Sequence, residues 1–98
     1  MQFLDALVEV GRQNQRKWAL RSEDVVIECV EEENGPRHYV DIVPVGSMGL
    51  PPNNWNRSLL HHSLPGVVQW LYENGKRDLV QNGSWDIVGN FEEALGMP

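Results

Sequence analysis

The chain has 98 residues, 41% of them hydrophobic, with 14 acidic against 8 basic side chains and a formal charge of −6. That length fits one domain with a single core, and the apolar content argues against disorder. The acidic balance argues against nonspecific nucleic-acid binding, which needs cations to neutralise phosphates, and against an anionic membrane surface. The charge is uneven: residues 1–22 sum to +2, residues 23–45 to −6 and the remainder to −2.

Cys29 is the one cysteine, so no intrachain disulfide forms. The opening Met1-Gln2-Phe3-Leu4-Asp5 lacks the basic start and apolar run of a secretory signal, and no apolar stretch reaches membrane-spanning length. These features set the expectation of a cytoplasmic protein.

In chain order, Phe3, Leu4, Leu7 and Val8 fall on one helical stripe, with Gly11 on the same line to admit a close approach to a sheet. The polar run from Gln13 to Lys17 ends that helix. A short extra strand fits 17–20. Residues 24–31 read as a strand, with Val25, Ile27 and Cys29 alternating inward. Asn34-Gly35 supplies the positive φ of a tight reversal. A second strand runs over 37–45. Residues 46–58, with two glycines, two prolines and three asparagines, form an irregular loop far longer than the usual ~4–6 residues.

A second helix follows. Ser63 caps it, Pro65 sits in its first turn, Leu64, Val67, Val68 and Leu71 form its apolar face, and Asn74-Gly75 stops it. Residues 78–81 and 84–88 flank Asn82-Gly83 and read as a second hairpin. Asn90 then caps a stub over 91–95, with Glu93 as its capping-box partner. The order is α-ββ-α-ββ-short α. It predicts a single α+β domain over 1–98, with an antiparallel sheet of about four strands in two hairpins packed against two helices.

No catalytic constellation stands out, so an enzyme is the weaker reading. Cys29 lies among valines in a strand, and a buried apolar thiol is a poor nucleophile. His61 and His62 are adjacent, so they point to different sides and do not chelate one metal together. As ligand-binding residues they would stand at the mouth of a pocket. Gly46-Ser47-Met48-Gly49 lacks the spacing of a hydrolase elbow, and there is no glycine-rich phosphate loop. No cofactor or metal is implied.

The aromatics carry more information, because four tryptophans in 98 residues is a high count. Trp70 and Trp85 sit in regular patterns and are expected in the core or half in it. Trp18 either caps the first helix or joins an edge strand. Trp55 stands in the polar loop beside Asn54, behind the stiffening Pro51-Pro52 pair. There it either folds back as an anchor or meets a partner. Glu31, Glu32 and Glu33 place three carboxylates beside the first hairpin turn.

These features lead to a small, acidic, non-enzymatic interaction module: an accessory, inhibitor or immunity-type protein binding a larger protein, with a basic surface on that partner. Pro52, Asn54, Trp55 and Glu31 to Glu33 form the expected contact. The competing class is a small-molecule-binding domain or minor enzyme with a pocket near 46–62. A homodimer through an unpaired strand edge is a third route. Trp55→Ala should keep the melting transition and weaken partner binding by roughly 2 kcal/mol. Unfolding of that variant would make Trp55 a core anchor instead.

Overall fold

The computed structural model describes residues 1–42, 59–61 and 63–95. The elements are α1 (Phe3–Gln13), β1 (Lys17–Ser22), β2 (Val25–Glu32), β3 (Gly35–Ile42), β4 (Leu59–His61), α2 (Leu64–Glu73), α3 (Arg77–Asn82), β5 (Asp86–Val88) and α4 (Phe91–Leu95). The class is α+β, as the sequence pattern predicts. One antiparallel sheet has the order β4-β3-β2-β1-β5, with helices packed on it.

The extra strand at 17–20 is real and longer, reaching Ser22, and it is interior rather than an edge. It pairs with β2 on one side (Leu20 opposite Ile27) and with β5 on the other (Leu20 opposite Ile87). Trp18 therefore sits on an interior strand and does not cap α1. The β2–β3 reversal falls at Glu33-Asn34, and the positive φ (+107°) is taken by Gly35 at the start of β3. That φ is open to glycine at little cost.

One face of the sheet carries Trp18, Leu20, Val25, Ile27, Cys29 and Val40. With Phe3, Ala6 and Val10 of α1, Val67 and Leu71 of α2, and Trp85, they form the core. β1 and β2 are covered on both faces. Ala19, Val26 and Glu28 on the opposite face are also buried, and α4 packs there with Ala94 against the sheet. The Arg21 guanidinium donates to the Ala94 carbonyl at 2.8 Å and ties α4 down. Two covered faces explain why β1 is buried from Trp18 to Ser22 and β2 from Val25 to Cys29 without alternation.

α1 corrects its predicted stripe. Phe3, Ala6 and Val10 are buried and Leu7 is half-buried, whereas Leu4 and Val8 are 72% and 63% exposed. Gly11 is exposed and meets nothing within 4 Å, so it mediates no close approach. The helix ends at Asn14, which adopts the left-handed conformation (φ 52°) that asparagine tolerates. α2 begins as its sequence dictates: the Gly66 amide donates to the Ser63 hydroxyl at 3.3 Å, with proline in the first turn. It ends in a Schellman arrangement, the Lys76 amide donating to Leu71 O and the Gly75 amide to Tyr72 O, with Gly75 at φ +76°.

The second predicted hairpin is overturned. Residues 77–82 are the helix α3, and Gly83 is extended at φ −69° rather than turned. Residues 86–88 pair with β1, more than sixty positions earlier, and not with 78–81. The physical reason lies in Trp85 and Gly83. The Trp85 indole donates to the Leu79 carbonyl at 2.8 Å, and the Gly83 amide donates to the same oxygen at 3.0 Å. Asp78 favours the first turn of α3 through the helix dipole. The strand β4 was not foreseen; it pairs His61 with His38 and Leu59 with Val40. The α4 stub forms as read, with the Glu93 amide donating to the Asn90 side chain at 2.8 Å. The Glu93 carboxylate in turn accepts from Gly89.

Gly83 is thus needed for closeness, not for positive φ. A Cβ there would stand 2.5 Å from the Leu79 oxygen. Gly83→Ala should lower the urea midpoint, by about 1–3 kcal/mol in stability. Gly11→Ala should raise it by about 0.5–1 kcal/mol, since that site is helical and open. Equal midpoints for the two variants would contradict this account of α3.

Candidate functional site

Three helices enclose an apolar groove of about 360 Å³. α1 and the residue before it contribute Gln2, Phe3 and Leu4, α2 contributes Val68 and Tyr72, and α3 contributes Val80 and Gln81. Among the described residues the lining contains no charged side chain. The groove exists because the two long helices lay only part of their apolar surface on the sheet. On α1 the apolar arc widens from Val10 and Phe3 through Leu7 to Leu4 and Val8. On α2 it widens from Leu71 and Val67 to Val68 and Tyr72, the last 40% exposed. The Arg77 guanidinium lies 5.4 Å over the Tyr72 ring, and Gln81 donates to the Tyr72 hydroxyl at 3.5 Å. These contacts hold Tyr72 at the rim.

The hairpin tip is the second feature. Glu31, Glu32 and Glu33 are exposed, and with Arg16 and Asn34 they line a polar cavity of about 710 Å³. The Glu31 amide donates to the Arg16 carbonyl at 2.8 Å, bringing the end of α1's following segment to the tip. Arg37 pairs with Glu32 at 2.9 Å. The tip's carboxylates therefore have internal cations beside them, a relief that their run in the sequence does not reveal.

Pro52, Asn54, Trp55 and His62 lie outside the described residues, as does the loop 46–58. His61 is placed by its backbone opposite His38, and His38 lies opposite Cys29. The sheet thus aligns three positions far apart in sequence. His38 is buried with its ring edge-on to Trp18 at 6.0 Å. Among the described residues no group of three His, Cys, Asp or Glu side chains could hold a metal ion. Burial pushes the Cys29 thiol up from 9.0 to about 11, helped by the Glu31 and Glu28 carboxylates. That is the opposite of what a nucleophilic thiolate requires.

The groove went unread in the sequence because Leu4 and Val8 carry the helical spacing of core residues. The one signal was excess: α1's apolar arc is wider than one packed face needs. Two buried carboxylates, Glu28 and Asp41, also escaped notice, although each interrupts an apolar strand run. Lys17 approaches Glu28 at 3.9 Å. Among the described residues no helix is long and apolar enough to cross a membrane. Comparison of the chain with family models, curated proteins and solved structures finds no match.

Cys29 should react with a maleimide far more slowly in the native protein than in denaturant at pH 8. Because its folded pKa is raised, the thiol favours the fold below pH 9.0, and that contribution is lost as pH rises through about 11. Cys29→Ala should therefore flatten the stability profile in that window. A native labelling rate equal to the denatured one would show the thiol to be accessible.

Proposed function

We propose that this chain is a small acidic interaction module, an accessory or inhibitor protein that docks a larger protein partner through the helical groove. The observation that carries this reading is the exposure of Leu4 and Tyr72 in a lining whose described residues carry no charge, with Val8 exposed one turn further along α1. In a chain that is 22% charged, an uncharged patch of large apolar side chains from two helices stands apart from scattered surface hydrophobics. Burying one such side chain against a partner contributes about 1.5–3 kcal/mol when burial is complete. The tip at Glu31 to Glu33 acts at longer range, drawing a basic surface toward the module. Trp55, with Asn54 and Pro52, extends the contact in this reading.

A second reading, a small apolar ligand in the same groove, is favoured by its volume, which lies in the ~300–1,000 Å³ range of ligand sites. Two amides and one hydroxyl, from Gln2, Gln81 and Tyr72, would orient such a ligand.

Quantitative affinity capture from extracts of the source cells tests the reading. The Leu4→Ser/Val8→Ser double variant should keep its melting midpoint, since both side chains face solvent, and should lose the partner. Replacing Glu31, Glu32 and Glu33 by Gln should keep the partner but flatten the salt dependence of its binding. Full capture by the double variant would sink the groove as the docking site. Loss of a co-purifying small molecule, with protein capture unchanged, would favour the ligand reading.

A further inference from the structure

The groove's construction points to the kind of segment it takes, and this step rests on the interaction reading above. We propose that its occupant is an amphipathic α-helix of the partner, laid between α1 and α2 with an uncharged apolar stripe inward and basic side chains along its flanks.

The first argument is backbone hydrogen bonding. The groove is walled by helices, so the backbone groups it offers are confined to the first turn of α1, at Phe3 and Leu4, and the last turn of α3, at Val80 and Gln81. Among the described residues its polar side chains are Gln2, Gln81 and Tyr72. An extended segment entering it would bury more backbone donors and acceptors than these few groups can pair, at a cost for each one left over. A helix brings its own backbone bonds already made. The second argument is spacing. The α2 wall presents two apolar side chains one helical turn apart, Val68 and Tyr72, and on α1 Leu4 lines the groove with exposed Val8 one turn further along the helix. Ridges at that spacing interleave with the i, i+3, i+4, i+7 positions of a third helix.

Charge complementarity sets the flanks. Three of these four side chains are followed directly by a carboxylate: Asp5 after Leu4, Glu9 after Val8, Glu73 after Tyr72. One residue along a helix is a turn of about 100°, so these acids stand outward of the apolar walls. Arg12 answers Glu9 at 3.4 Å, which leaves Asp5 and Glu73 for an incoming cation, on a chain of net charge −6. The same acids argue against a second copy. α1 set against α1 of another molecule would oppose Asp5 and Glu9 to their own kind.

The test uses the full chain and a dye-labelled synthetic peptide of about 18 residues, long enough to hold a helix when bound. It carries leucines at i, i+4, i+7 and i+11, lysines beside them and alanine elsewhere. Anisotropy should report saturable binding, with a rise in helical circular dichroism beyond the sum of the parts. Three changes should each weaken it at least about tenfold: Leu4→Ser/Val8→Ser in the protein, a central proline in the peptide, and glutamates replacing the peptide's lysines. If the double variant loses stability, Leu4→Ser alone carries the comparison. Equal binding of the proline peptide would mean an extended occupant and overturn the proposal. Equal binding by the double variant would move the contact out of the groove, with the same consequence. A wild-type dimer by sedimentation that Leu4→Ser/Val8→Ser dissolves would assign the groove to a second copy instead. If the peptide fails while the double variant still loses its partner in affinity capture, the helix proposal falls and the interaction reading stands. If neither responds, both fall.

Discussion

Trp85 is the interaction on which the arrangement of helices and sheet depends. It is 1% exposed, stacks at a tilt on Phe3 with ring centroids 5.1 Å apart, and donates through its indole to Leu79 O. Its backbone exchanges two hydrogen bonds with Met1, at 2.7 and 3.2 Å. One side chain and its amide thus fasten the chain start, α1 and α3 together, and the next residue enters β5 against β1. A tryptophan in such a site contributes on the scale of ~3–5 kcal/mol, a large share of the ~5–15 kcal/mol typical of a domain. The groove is a by-product of this seat. Leu4 follows Phe3 and Val80 follows Leu79, so fastening Phe3 and Leu79 to Trp85 carries their neighbours to the groove.

The acidity of the chain looks different once folded. Residues 23–45 hold seven acids and one base, which suggests a strongly negative surface. The fold disperses that block. Asp24 is bridged by Lys76 at 2.7 Å, Glu28 is buried near Lys17, Glu32 is held by Arg37, and Asp41 is buried. Most of these cations come from other parts of the chain, Lys76 from the α2–α3 turn among them. The field left at the hairpin tip is modest, enough to steer a basic partner but a weak source of affinity by itself. In the interaction reading proposed above, affinity comes from surface that excludes water, and the apolar groove is the candidate for it in the described part of the molecule.

Local chemistry made much of the fold legible. Alternation in β2 put Val25, Ile27 and Cys29 inward, and they lie in the core together. Ser63, Pro65 and Gly75 bounded α2, and Asn90 with Glu93 bounded α4, because caps are decided by residues within a turn of each other. The tight reversal near Asn34-Gly35 was readable for the same reason. Asn82-Gly83 carried an equally strong local signal and misled, because the competing partners were remote. A free edge on β1 took residues 86–88, and the Leu79 carbonyl took the Gly83 amide and the Trp85 indole.

The sequence by itself determined the class, the core-facing alternation of Val25, Ile27 and Cys29 in β2, and the boundaries of α2 and α4, all of which follow from period and capping over a few residues. Tertiary structure alone decided which apolar residues of α1 and α2 stay outside. Leu4 has the same hydrophobicity and nearly the same helical phase as Leu7. Only the position of the sheet and of Trp85 beneath Phe3 turns one toward the core and the other to the groove. It also decided that Arg21, Glu28 and Asp41 are buried, since a second covered face exists only once α4 has crossed to it. Burial is a property of what packs opposite, and no window along the chain contains that partner.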